Sequence, residues 1–269
     1  MLLKKLSVLV CASFISCMSF AQTNTEQRET DKVIDTFLQC DNQFFEQLAK
    51  HQESINQYVD LATTPEQVTY IPVKAIQNLD ENQVMLKKPL EYHGLKIIGY
   101  RNIYIPTSLY GYFLYWGFIF DNNEIEVKNA LNNINWLPYN TNIYIANSQI
   151  YDHKLNPATW QDDPYAIDGV IPRIGTINKA LYLEQIANNQ SSVFCSIQGD
   201  IEKKELFVIR PDLKPIIEKQ EAELQQKIKA YKEKMQKKKE KQEQEQEQEQ
   251  QPQTHINPIE TTSKDGDNI

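Results

Sequence analysis

The sequence predicts an α+β fold: an antiparallel or mixed sheet with a long N-terminal helix packed on it, then a charged C-terminal helix and a disordered tail. Three features carry this prediction. Val33, Ile34, Phe37, Leu38, Phe44, Phe45 and Leu48 recur at spacings of three, four and seven, a helical period. From about residue 91 to 210 the pattern becomes alternating or continuous apolar runs bounded by Asn, Asp, Gly and Pro, as strands do. After residue 211 the chain turns strongly charged and ends in low-complexity sequence.

The first 21 residues read as a secretory signal. Lys4 and Lys5 precede an apolar stretch from Leu6 to Phe20 that is too short to span a bilayer convincingly, and Ser19-Phe20-Ala21 suits cleavage before Gln22. A rival reading takes Phe14-Ile15-Ser16-Cys17 as a loose lipobox, which would leave Cys17 acylated and the protein on a membrane. The expected location is the periplasm, with an outer-membrane lipoprotein as the rival. Once the signal is removed, Cys40 and Cys195 remain, and an even pair in an oxidising compartment reads as a disulfide.

Residues 22–30 read as a flexible N-terminus and residues 31–211 as a single domain. The helical pattern begins at Asp31, where acidic residues suit the helix dipole, and extends through Leu61 to a stop at Thr63-Thr64-Pro65. Cys40 falls on its apolar face. Gln67 to Val73 reads as a strand, weakened by Pro72. Glu91 to Tyr104 reads as two short strands around a His93-Gly94 turn.

The stretch from Leu109 to Phe120 has seven aromatic residues and no charge, so it belongs near the middle of a sheet. Alternation places Tyr110, Tyr112, Leu114, Trp116, Phe118 and Phe120 on one face and Tyr115 with Gly111 and Gly117 on the other. The glycines mark a close approach on their face. Asp121-Asn122-Asn123 then reads as a turn and cap, and Glu124 to Ile134 as a short amphipathic helix. Asn140 to Tyr151 is a strand, Asp152 to Asp168 a polar loop and Ile177 to Ala187 a second short helix. Ser191 to Ile197 and Leu206 to Arg210 form a terminal hairpin.

Residues 212–241 read as a charged helix. Ile217, Leu224 and Tyr231, with Ile228 and Met235, sketch a heptad that Glu221 interrupts, a weak coiled-coil pattern. Residues 242–269 are expected to be disordered, since an alternating Glu/Gln tract buries too little apolar surface to offset its ordering entropy.

Charge narrows the function classes. The net charge of −8 argues against general nucleic-acid binding. From Gln22 to Arg210 there are 23 acidic and 15 basic residues, a balance of −8, so the acidity belongs to the domain and suits either solubility or a basic partner. No GxSxG, HExxH, CxxC, GxGxxG or GxxxxGK[ST] is present, so no catalytic, metal or cofactor site is marked. Asp152-His153 with Asp162, Asp163 and Asp168 is rich in oxygen ligands but lacks calcium-loop spacing.

What stands out is fourteen tyrosines. Tyrosine joins a large apolar area to a polar tip, which suits recognition. Tyr110, Tyr112, Trp116 and Tyr144 are the candidate binding surface. The expected function is a non-enzymatic exported protein that docks an envelope protein or polymer, in one version an immunity-type protein that meets a basic toxin. The rivals are a cell-wall hydrolase with unmarked carboxylates and a structural protein tethered through its C-terminal arm.

Overall fold

The computed structural model describes residues 25–107, 111–169 and 172–249, with side chains as far as residue 242. The chain divides into two units, Met1–Ile216 and Ile217–Ile269. The first unit is α+β. Helix α1 spans 25–37, α2 spans Gln43–Lys50 and α3 spans Gln52–Asn56. A small sheet pairs β1 (Ala62–Thr63) with β2 (Thr69–Tyr70).

The main sheet holds β3 (Gln83–Tyr92), β4 (Leu95–Pro106), β5 (Tyr112–Phe120), β6 (Leu137–Asn140), β7 (Ile143–Asp152), β8 (Trp160–Asp162), β9 (Thr176–Ala187) and β10 (Gln190–Gly199). Its order is β3-β4-β5-β10-β9-β7-β6, with β8 paired to β7. Its paired strands all run antiparallel. Helix α4 (Glu124–Ala130) follows β5, α5 (Lys203–Ile209) follows β10, and α6 (Lys214–Glu249) completes the described chain.

The aromatic strand β5 lies inside the sheet between β4 and β10, as its lack of charge requires. Its alternation sorts two faces. On the inner face Leu114, Trp116, Phe118 and Phe120 are buried. Phe118 meets Phe37 of α1 with ring centroids 4.9 Å apart and Phe44 of α2 at 6.0 Å, both edge to face. On the outer face Gly117 lies opposite Phe194 of β10. A Cβ on Gly117 would fall 2.2 Å from the Val193 carbonyl oxygen, so the close approach marked by this glycine is that of β10.

Cys40 and Cys195 are bridged, with Cα atoms 5.3 Å apart, tying the α1–α2 turn to the middle of β10. The bridge sits where the helical reading placed Cys40, but the long helix through Leu61 is corrected to three pieces. Cys40 adopts a left-handed backbone, φ 56°, which ends the first piece and redirects the chain. The apolar spacing runs across that break unchanged, because Phe37, Cys40 and Phe44 all serve the same buried face.

Other elements hold. His93 and Gly94, with φ of 48° and 79°, form the two-residue turn between β3 and β4. Asn123 caps α4, accepting from the Ile125 and Glu126 N–H groups while the Glu126 side chain accepts from the Asn123 N–H in return.

Two elements are exchanged. The expected helix from Ile177 to Ala187 is strand β9. It sits between β10 and β7 and buries Ile177, Ala180, Leu181 and Leu183, giving apolar spacings that imitate a helix. The expected strand Leu206 to Arg210 is helix α5, which buries Leu206 and exposes Val208. The strand expected from Gln67 to Val73 shrinks to two residues.

The domain boundary also moves. Arg210, Asp212 and Leu213 are fully buried, so the core continues past residue 211. Arg210 Nε donates to Asp212 Oδ1 at 2.9 Å, and its Nη2 donates to Asp212 Oδ2 at 2.7 Å and to Asn102 Oδ1 at 2.8 Å. The guanidinium lies 4.5 Å from the centre of the Trp116 ring.

Taken by itself, α6 is continuous to Glu249 instead of stopping at Lys241. Glu and Gln are good helix formers, so the tract continues the helix it follows. Leu224, Ile228, Tyr231 and Met235 are exposed on it. The remaining tail and the stretch read as an export signal lie outside the described residues. Among the described residues, no helix is long and apolar enough to cross a membrane.

Candidate functional site

Register decides which side chains share the outer face of the sheet, since residues directly opposite on neighbouring strands point the same way. One row runs Gly117, Phe194, Tyr182 and Ile145 from β5 to β7, and a second runs Tyr115, Ser196 and Ala180. A third joins Phe113, Gln198, Asn178 and Ile150. Helices α1 and α2 cover the other face, through the Phe37, Cys40 and Phe44 contacts above. Residues 163–169 and 172–173, with Tyr139 of β6, border the outer one. Between them is a groove of about 620 Å³, within the usual range of small-ligand sites.

Its floor is aromatic and polar. Tyr182 stacks on Phe194 at 5.3 Å and 9° between planes; Tyr139 meets Tyr182 edge-on at 5.6 Å and Tyr115 meets Phe194 at 6.0 Å. These contacts fix the rings before any ligand arrives. Burial pushes the Tyr182 and Tyr115 hydroxyls upward, so both remain protonated donors at neutral pH.

Asn178 Nδ2 donates to Asp163 Oδ2 at 2.6 Å, while Asn178 Oδ1 is buried without a partner. Asp163 also accepts from the Tyr165 N–H at 3.1 Å. Gln198 Nε2 donates to Ser196 Oγ at 2.8 Å.

The rim differs from the floor. Tyr165 is 72% exposed and Ile174 75%, and Ile167 on the same segment is also exposed. Tyr165 lines the groove, and Ile167 and Ile174 stand next in sequence to the lining residues Asp168 and Arg173; exposed apolar side chains mark binding surfaces where they cluster. The lining is weakly acidic: Asp163 and Asp168 stand against Arg173, which also pairs with Asp152 at 3.9 Å. Lys179 borders the groove, but its register with Ile197 and Gln149 assigns its side chain to the inner face, where Nζ lies 4.9 Å from the Trp160 ring centre.

The sequence-predicted surface is not brought together. Trp116 is 0% exposed beneath Arg210, so its assignment to a binding surface is corrected: the alternation that grouped it with Tyr112 put both on the inner face. Tyr112 is half-buried and stacks on Tyr104 at 5.7 Å. Tyr144 is half-buried under Lys128, whose Nζ lies 3.7 Å from the ring centre. Tyr110 lies outside the described residues.

Tyr165, Asn178 and Tyr182 were missed as site residues. The available signal was the opposite phase of β5, where Tyr115 shares a face with Gly117. Among the described residues no group of three His, Cys, Asp or Glu side chains is placed to hold a metal ion. Comparison with protein-family models, with curated proteins and with solved structures finds no match. The Cys40–Cys195 bridge fits a compartment outside the cytoplasm.

Proposed function

We propose that this chain is an exported, non-enzymatic binding protein of the periplasm that holds a component of the cell envelope in the outer-face groove. The observation that carries the reading is the pairing of an exposed rim, the Tyr165 ring with exposed Ile167 and Ile174 next in sequence to lining residues, with a pre-arranged aromatic and polar floor. A rim of this kind costs solubility unless something covers it.

The lining holds only two carboxylates, Asp163 and Asp168, which is weak support for the immunity-type version at this site, because steering of a basic toxin needs a concentration of acidic groups. The hydrolase alternative needs a desolvated carboxyl facing the substrate. Burial raises the Asp31 carboxyl, but Asp31 lies on α1, outside the groove.

The test is capture from envelope extract, in both insoluble polymer and soluble fractions. The mature protein is compared with Tyr165→Ser/Ile174→Ser, whose changes are at the surface and leave the core intact. The variant is expected to recover at least about fivefold less of the captured component, as befits loss of exposed apolar anchors. Equal recovery by both proteins would contradict the assignment of binding to this face.

A further inference from the structure

We infer that α6 carries a contact separate from the groove: residues 224–241 form a basic amphipathic surface that lies on an anionic lipid bilayer. This contact places the protein at a surface, while selection of the bound component stays with the groove.

The apolar stripe is the first ground. Leu224, Ile228, Tyr231 and Met235 are between 38% and 65% exposed. At 3.6 residues per turn they fall within an arc of about 60°, one beyond another along a single line of the helix. Four large apolar side chains in one line form a continuous face, not a scatter of single surface residues.

Charge is the second ground. The whole chain carries −8, yet residues 227–241 hold eight lysines against two glutamates. Their placement is ordered. Lys227, Lys234 and Lys238 flank the stripe on one side, and Lys232 and Lys239 flank it on the other, all of them exposed. Glu233 and Glu240 fall on the opposite face. Lysine stems extend the apolar contact while their ammonium heads reach outward. An apolar line bordered on both sides by lysine and backed by glutamate matches a bilayer surface with anionic headgroups. The alternating Glu/Gln tract reverses the charge from Glu243 onward, which sets the end of the segment.

The same stripe fits other occupants less well. In a parallel pair with a second copy, Lys227 would face Lys232 of the other chain and Lys234 would face Lys239, and an antiparallel pair also sets lysine against lysine. A soluble polyanion would meet the lysines and leave the stripe in water. A bilayer covers both.

The test is sedimentation of the mature protein with vesicles of phosphatidylcholine, alone or with about 30% phosphatidylglycerol. Binding to the anionic vesicles is expected to be at least about tenfold stronger, and to fall at least about fivefold when salt rises from about 0.1 to about 0.5 M. Leu224→Gln/Ile228→Gln/Tyr231→Gln/Met235→Gln keeps good helix formers at exposed positions and should lose about tenfold in binding. Lys227→Gln/Lys232→Gln/Lys234→Gln/Lys239→Gln should lose about tenfold as well, together with most of the salt dependence. Helix content measured by circular dichroism is expected to be unchanged in both.

Equal binding to the two vesicle types, or anionic binding that survives in both α6 variants, overturns the inference. A dimer of the mature protein that the stripe variant abolishes would assign the stripe to a second copy. Tighter binding to a designed helical peptide with a leucine seam and glutamate flanks than to anionic vesicles would assign it to an acidic helix. Either result overturns the lipid assignment. The groove reading is tested apart from this one, because Tyr165→Ser/Ile174→Ser should bind vesicles as the parent does, and lipid-free material held in the groove leaves the arm as it is in the free protein.

Discussion

Replacing Asp212 with alanine is expected to destabilise the domain by about 3–5 kcal/mol, because it leaves the Arg210 guanidinium charged, buried and without its carboxylate. Both side chains are 0% exposed. The Arg210 guanidinium donates twice to Asp212 and once to Asn102. Asn102 and the face of Trp116 cannot supply the missing negative charge. For a domain of this size the loss corresponds to a melting point lowered by roughly 6–20 °C.

Urea unfolding followed by fluorescence measures the effect. A double variant, Arg210→Met/Asp212→Leu, removes both charges and is expected to recover most of the loss, since an apolar pair avoids desolvating two ions. A single Asp212→Ala variant within about 1 kcal/mol of the parent would contradict the buried-pair account. The same reasoning predicts that a chain ending at Pro211 is not a clean domain, because it lacks both Asp212 and the fully buried Leu213.

Removal of the Cys40–Cys195 bridge is expected to cost about 2–5 kcal/mol. The bridge spans 155 residues of sequence, and closing so long a loop restricts the unfolded chain strongly: the chain-entropy model gives about 5 kcal/mol. The native side contributes too. Cys40 holds a left-handed backbone at the point where α1 ends, and the link to β10 keeps that turn seated over the sheet. A Cys40→Ala/Cys195→Ala variant, unfolded in urea beside the oxidised parent, reads the cost. Equal midpoints and slopes for the two proteins would show that the bridge adds nothing to stability.

Legibility in the sequence followed the strength of the local pattern. The Cys40–Cys195 pairing is legible because setting aside the expected signal leaves only two cysteines, and the β5 stretch because an uncharged aromatic run has one comfortable place in a sheet. The His93-Gly94 turn and the Asn123 cap carry their own local chemistry. The misses share a cause, which is tertiary context overriding local pattern. In β9 Ile177, Leu181 and Leu183 face inward while Ala180 and Tyr182 face outward, and Lys179 interrupts the inward row, so the apolar spacing looks helical although each face alternates. In α5 the run Leu206-Phe207-Val208-Ile209 favours a strand locally, yet it is a single short helix before the buried Arg210.

The groove was the least legible feature because pairing across strands, and not position along the chain, creates it. Asn178, Ser196 and Tyr115 are far apart in sequence, and only the register of β5, β10 and β9 puts them on one face. The sequence did supply the alternation of β5. What it lacked was any sign of which phase the helices would cover. Trp116, the most conspicuous aromatic residue, drew attention to the inner face, where large apolar side chains are most useful for packing.

The central claim is that recognition belongs to the outer face of the sheet and not to the C-terminal arm. Hydrogen–deuterium exchange of the mature protein, free and bound to captured envelope material, tests it most directly. Protection on binding is expected in residues 163–175 and in β6 beside them, with little change along residues 221–249. Protection confined to the arm, with the 163–175 segment exchanging as in the free protein, would contradict the claim and move the function to the tether.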